Sequence, residues 1–241
     1  VGSGKSLTSL SYYYIQNGGS EIFLTGGKHK KMKDPKDLYI ITTARKRDTM
    51  EWEGELSHFL LSTNPDTSAY KNKVIVDSWN NVKKYKEVKG AFFIFDEQRV
   101  VGSGEWVKSF LKIAKSNEWI LLSATPGDTW SDYIPVFIAN GFYKNKTEFL
   151  REHAVFARYS KFPKIEKWMG SGKLNRYRRM ILVDMKFQRK TEQHHEDVYV
   201  DYDIATYKDV MKSRWDIYKQ EPIVNAGGLC YTLRRLVNSD P

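Results

Sequence analysis

The run Ala91-Phe92-Phe93-Ile94-Phe95 passes without a break into Asp96-Glu97, and no other junction constrains the fold of this chain as much. Five successive apolar residues leave no polar face, so a strand made of them must be covered on both sides, as strands of parallel sheets are. Two carboxylates at the end of such a strand are costly to bury unless a cation or a reacting group needs them. Three further runs, Tyr39 to Thr43, Val74 to Val76 and a buried strand at Trp119 to Leu122, alternate with stretches that read as helices over Asp48 to Leu61, Ser78 to Tyr85 and Trp106 to Ala114. Strands alternating with helices predict an α/β fold, a parallel sheet flanked by helices, with its site at the carboxyl ends of the strands.

The first residues, Val1-Gly2-Ser3-Gly4-Lys5-Ser6, carry the second half of the phosphate-binding pattern GxxxxGK[ST]. Small residues let backbone N–H groups close around phosphate oxygens, Lys5 would reach the β- and γ-phosphates, and Ser6 would hold Mg²⁺. Gly2, Ser3, Gly4, Lys5 and Ser6 are therefore the nucleotide-binding candidates, and a helix is expected over Leu7 to Gln16, ended by Asn17-Gly18-Gly19. The plain alternative is a flexible Gly-Ser stretch. Two similar strings, Val101 to Gly104 and Gly170 to Lys173, lack the continuation and read as loops. With a P-loop upstream, Asp96 suits the metal and Glu97 suits orienting and deprotonating the attacking water, so Lys5, Asp96 and Glu97 are the catalytic candidates and Ser6 with Asp96 the metal ligands. A capped helix start is the plain reading of the same two acids.

About 25 residues after Asp96, the strand at Trp119 to Leu122 ends in Ser123-Ala124-Thr125-Pro126. In order and spacing, Gly-Ser-Gly-Lys-Ser, Asp-Glu-Gln-Arg and Ser-Ala-Thr resemble motifs I, II and III of superfamily 2 helicases and translocases. The resemblance extends to Ile40-Ile41-Thr42-Thr43-Ala44-Arg45 at the place of motif Ia, to Trp52 and Glu55 as in the Swi/Snf-type branch, and to Leu233-Arg234-Arg235-Leu236-Val237-Asn238, which is similar to the stretch following the first motor domain there. The segment from Phe95 to Phe149 looks most like phage-encoded helicases.

This resemblance implies a RecA-like P-loop NTPase domain over residues 1–200 and a helical segment, 201–241, leading toward a second motor domain. It implies ATP and Mg²⁺ as cofactors and nucleic acid, DNA in preference to RNA, as the track. Hydrolysis by this stretch alone is expected to be weak, because the arginine finger comes from the second domain. Thr43 and Arg45 are implied to follow the phosphate backbone, and Ser123 and Thr125 to couple hydrolysis to it. Replication or recombination proteins are the implied partners, and the cytoplasm of a host cell the implied location. The chain departs from the family by omission, having no adenine-reading segment before the P-loop and no second motor domain, and it reads as a fragment. A nucleotide-gated DNA-binding or loading module that acts through a protein partner with little turnover remains open. A P-loop kinase fits less well, because Ser-Ala-Thr after Asp-Glu has no place there.

The net charge of +10 and an aromatic content of 14% suit an anionic, stackable partner. Two basic regions stand out, Lys28 to Lys33 and Lys161 to Lys173 together with Arg176-Tyr177-Arg178-Arg179. An ordinary solvated face accounts equally well for either one alone. The single Cys230 excludes an intramolecular disulfide and reads as a small buried hydrophobe. No apolar run approaches the roughly 20 residues that span a membrane. His194 and His195 are adjacent and lack a third ligand at metal spacing, so they read as loop residues. Beyond Thr147, Met180 to Met185 and Val198 to Tyr202 read as strands around a basic loop, Ile204 to Gln220 as a helix, and Gly227-Gly228 as the lead-in to a last helix.

Overall fold

Residue alternation along the central strands builds two separate cores. In the computed structural model, which describes residues 4–20, 31–97, 100–159, 162–185, 196 and 199–238, four strands form a parallel sheet in the order β2-β1-β3-β4. They are β1 (Leu38–Thr42), β2 (Val74–Ser78), β3 (Phe92–Phe95) and β4 (Glu118–Leu121). Leu38, Ile40, Phe92 and Ile94 point to one face, where helices α1 (Lys5–Gln16) and α3 (Glu51–Ser57) cover them with Leu10, Tyr13, Trp52 and Leu56. Tyr39, Ile41, Phe93 and Phe95 point to the other, beneath a 3₁₀ turn (Trp79–Tyr85) and helix α4 (Glu105–Ala114). Period-two side-chain direction on a two-sided sheet explains why the strand sequences read as unbroken apolar runs. Burial of each phenylalanine there contributes roughly 1.5–3 kcal/mol before ordering costs.

The order of strands reverses direction once. β1 to β2 steps one way with its crossover helix on the first face; β2 to β3 and β3 to β4 step the other way with their crossovers on the second face. Changing direction and face together keeps the crossovers of one hand, as right-handed βαβ connections require. The reversal leaves a crevice between the carboxyl ends of β1 and β3.

After β4 come helices α5 (Trp130–Ala139) and α6 (Lys146–His153), an antiparallel hairpin of β5 (Ala154–Phe156) and β6 (Ile165–Trp168), and helix α7 (Ser171–Ile181). Their core is aromatic: Phe137, Tyr143, Phe149 and Leu174 are buried, with Trp168 and Tyr177 against them. The chain divides into two compact units, Val1–Phe187 and Gln188–Pro241. In the second, α8 (Ile204–Ser213), the two-residue strands β7 (Trp215–Asp216) and β8 (Glu221–Pro222), and α9 (Ala226–Asn238) enclose Val210, Ile223, Leu233 and Leu236. Two residues of the Leu233–Asn238 stretch are thus core residues of this small unit.

Several expectations are corrected. Of the helix predicted from Asp48 to Leu61 only α3 is helical; a separate short helix, α2 (Ala44–Asp48), precedes it, Met50 turns left-handed at φ 54° between them, and Trp52 and Leu56 of α3 are buried. The helix expected from Ser78 to Tyr85 is a 3₁₀ turn. Trp119, Ile120 and Leu121 are half-buried rather than buried, since β4 pairs on one side only among the described residues. Gly170 to Lys173 is no loop: Gly170, left-handed at φ 66°, caps α7 and the rest is its first turn. Met180 and Ile181 end that helix, residues 182–185 and 199–202 have no regular structure, and Val198 lies outside the described residues. The helix expected to reach Gln220 stops at Ser213, where Arg214 turns left-handed at φ 54° and opens the β7–β8 turn. Gly227 and Gly228 lie within α9, and Cys230 is exposed on it rather than buried. Residues 31 to 33 of the first basic region are irregular with Lys31 and Lys33 exposed, but Met32 between them is buried against the first core.

Candidate functional site

The crevice at the strand reversal is where polar side chains meet. Backbone pairing carries β3 to the same level as β1, with the Asp96 N–H donating to the Ile41 carbonyl at 2.8 Å, so Asp96 emerges beside Thr42. Asp96 is 1% exposed, and its carboxylate is satisfied from within: the Thr42 hydroxyl donates to Oδ2 at 2.9 Å and Lys46 Nζ donates to the same oxygen at 3.0 Å. The indole N–H of Trp79 donates to the Asp96 carbonyl at 2.9 Å and fixes the backbone there. Glu97 follows in the left-handed region at φ 58°, a conformation that is strained for a side chain with a Cβ and that recurs at functional sites. Its carboxylate remains accessible and reaches Lys46 Nζ at 3.1 Å.

Lys46 therefore spans both acids. It stands on α2, a short helix whose N-cap is Thr43, the Thr43 hydroxyl accepting from the Lys46 N–H at 3.3 Å. Burial by itself would lower the Lys46 pKa; the hydrogen bond and charge of Asp96, followed by those of Glu97, outweigh it and hold the ammonium above its ordinary value. The next residue, Arg47, pairs with Asp48 at 2.7 Å and reaches Asp77 at the end of β2 at 3.3 Å. Asp77 also accepts from the Ser78 N–H at 2.7 Å, the Asn81 amide at 2.8 Å and the Tyr85 hydroxyl at 2.6 Å. Burial alone would raise its pKa, but these donors together with Arg47 bring it below the usual carboxylate value. Lys46, Arg47 and Asp77 escaped the sequence reading. The available signal was a cationic triplet directly after a strand, facing strands that end in Asp.

Gly4, Lys5 and Ser6 lie at the start of α1, with Gly4 left-handed at φ 72° as its N-cap; Gly2 and Ser3 lie outside the described residues. Among the described residues the helix has no side-chain cap, and no acid stands in its first turn to offset the positive end of its dipole. Its other end is tied to the start of β1: the Lys36 N–H donates to Asn17 Oδ1 at 2.9 Å, and the Tyr13 hydroxyl donates to the Lys36 carbonyl. Between its ends α1 packs on the first face of the sheet through Leu10, Tyr13 and Tyr14.

The remaining candidates are spread along that edge. Arg45 is exposed and makes no ion pair among the described residues. Ser123 and Thr125 form a turn after β4, the Ser123 hydroxyl accepting from the Thr125 N–H at 3.1 Å. Lys28, His29 and Lys30, Lys161, and His194 with His195 lie outside the described residues. No group of three or more His, Cys, Asp or Glu side chains among the described residues is placed to hold a metal ion. A divalent ion here would have one buried carboxylate, Asp96, the Ser6 hydroxyl and phosphate oxygens, a donor set of hard oxygens that suits Mg²⁺. The Lys46 ammonium, drawn in by both acids, marks the place as one that takes positive charge. No helix among the described residues is long and apolar enough to cross a membrane. No protein-family model matches the chain, and no curated protein matches it.

Proposed function

We propose that this chain is the RecA-like first motor domain of a superfamily 2 ATPase that acts on nucleic acid, DNA in preference to RNA. The observation that carries the reading is the Asp96–Glu97 pair at the strand reversal, one acid buried and held by Thr42, the other accessible, with a cation between them. A parallel sheet covered on both faces, with a glycine-capped helix packed on one of them, supports the RecA-like form of the fold.

In this reading Lys5 and the first-turn amides of α1 bind the β- and γ-phosphates, and Ser6 and Asp96 hold Mg²⁺. Bound Mg²⁺ would supply Lewis acidity to the phosphoryl group. Thr42 fixes the Asp96 carboxylate, and the accessible Glu97 takes the proton of the attacking water. Lys46 balances the two negative charges while the crevice is open. Arg45, exposed beside Thr43, meets the backbone of the track, and Ser123 and Thr125 lie where hydrolysis would be coupled to it.

Binding of a fluorescent ATP analogue to Lys5→Ala tests this reading, with hydrolysis followed with and without single-stranded DNA. Affinity should fall by about tenfold or more, a loss of roughly 1.4 kcal/mol for each factor of ten. Unchanged binding and hydrolysis would remove the nucleotide site. Binding that depends on Lys5 without DNA-stimulated turnover, even with a second motor domain supplied, would favour the nucleotide-gated loading module.

A further inference from the structure

Residues 156–182 hold eight lysines and arginines and one acid, Glu166, in a chain whose net charge is +10. Part of that charge is used internally: Lys173 pairs with Glu152 at 2.6 Å, and the Arg178 guanidinium lies 5.5 Å from the Tyr133 ring centre. Arg158, Lys164, Lys167, Arg176 and Arg179 make no ion pair among the described residues. Leu174, Tyr177 and Arg178 turn toward the aromatic core, which leaves Arg176 and Arg179, three residues apart, on the outer face of α7.

The hairpin adds two rings. Tyr159 is 99% exposed and Phe162 is 72% exposed, near the tip between β5 and β6, while most aromatic side chains of this unit are packed into its cores. Their base is fixed. The His153 Nδ1–H donates to the Met169 carbonyl at 2.8 Å, the Tyr143 hydroxyl donates to His153 Nε2 at 2.7 Å, and Phe149 meets Trp168 edge-on at 5.8 Å. A Cβ on Gly170 would come within 3.1 Å of His153, so the junction of hairpin and helix is closely packed as well. Exposed rings and cations without an ion pair, Arg176 among them at 5.9 Å from the Tyr177 ring centre, answer two features of one ligand, the flat faces of unstacked bases and the phosphates between them. An acidic protein surface would use the cations and leave the rings in water.

We propose that the β5–β6 tip and the outer face of α7 form a binding surface for single-stranded nucleic acid. Tyr159 and Phe162 stack on bases, and Arg158, Lys164, Arg176 and Arg179 neutralise the backbone. The role of this surface in a motor rests on the reading above; the binding itself does not need nucleotide.

The test is fluorescence anisotropy of a labelled oligo-dT with the intact chain across a salt series. Tyr159→Ala with Phe162→Ala should weaken binding by about tenfold or more and leave the salt slope unchanged, while tryptophan at both positions keeps the affinity. Arg176→Ala with Arg179→Ala should flatten the log–log salt slope by about 1.4, since each phosphate contact to a single strand is worth roughly 0.7. All four side chains are turned outward or half-exposed, so thermal unfolding should not shift. Affinity that survives Lys5→Ala and falls in the tip variant upholds the surface even where the nucleotide reading fails. The surface is overturned if the wild-type chain does not bind oligo-dT, if it prefers anionic phospholipid vesicles, or if Arg45→Ala weakens binding while both double variants bind like wild type; the last result would leave the motor reading standing.

Discussion

Two cation-rich stretches, 44–48 and 158–179, place positive charge in opposite ways. In the first, Lys46 and Arg47 turn inward, each to carboxylates that the parallel sheet has brought to its carboxyl edge. In the second, Arg158, Lys164, Lys167, Arg176 and Arg179 are exposed and make no ion pair among the described residues. The difference lies in the neighbours. Strands ending together at one edge concentrate Asp77, Asp96 and Glu97 there, and a buried carboxylate left without a partner is costly. The hairpin and α7 rest instead on rings, which need no countercharge. Cations near acids are drawn into ion pairs, as Lys173 also is by Glu152, whereas the other described cations of the second stretch have none.

Four variants sharpen this contrast or break it, each measured by denaturant unfolding. Phe149→Ala removes a fully buried ring from the aromatic base and should destabilise by about 3–5 kcal/mol, the usual cost of emptying such a space. Lys46→Ala should come next, at about 3 kcal/mol, because Asp96 stays buried without its countercharge. Added Mg²⁺ should restore part of that loss. A change under about 0.5 kcal/mol would show that Lys46 is ordinary surface decoration.

Asp77→Asn should cost about 2 kcal/mol by disturbing four donors to one carboxylate. The folded-state pKa of Asp77 is depressed, so its contribution is present above the unfolded value near 3.9 and lost as pH falls through the lower folded value. The gap between wild type and variant should therefore close in acid, and a gap that is constant with pH would refute the charged role of this group. Smallest of all, Arg176→Ala with Arg179→Ala should stay within about 0.5 kcal/mol. A loss above 1 kcal/mol would mean that α7 needs its outer cations for folding, and the contrast would fail.

The four strands, α1 and α4 were legible because each depends on a short run of its own residues, apolar stretches for the strands and a single apolar face for α4. The break at Met50 was not, because a long helical pattern gives way only when Trp52 and Leu56 are pulled onto a sheet whose other strands lie far along the chain. Gly170 to Lys173 looked like a loop by composition, but Gly170 turns left-handed as the cap of α7 and the next residues, with buried Leu174 facing the aromatic core, form its first turn. At the candidate site, Asp96 and Glu97 could be named from the strand they end, whereas Lys46 could not, since its partners are 50 and 51 residues away. Nor does the basic composition of 158–179 distinguish a lysine bound to Glu152 from an arginine facing solvent.

By itself the sequence determined where the backbone could extend, which strand had to be covered on both faces, and that two acids follow it at once. These are properties of neighbouring residues, set by sterics and by period-two burial. Only the tertiary structure decided that the strand order reverses between β1 and β3, that Lys46 bridges the two acids in the resulting crevice, and that Tyr159 and Phe162 stay exposed while Arg176 and Arg179 make no ion pair among the described residues. Charge is a local fact, but its pairing depends on which groups the sheet and the aromatic core bring within a few ångströms.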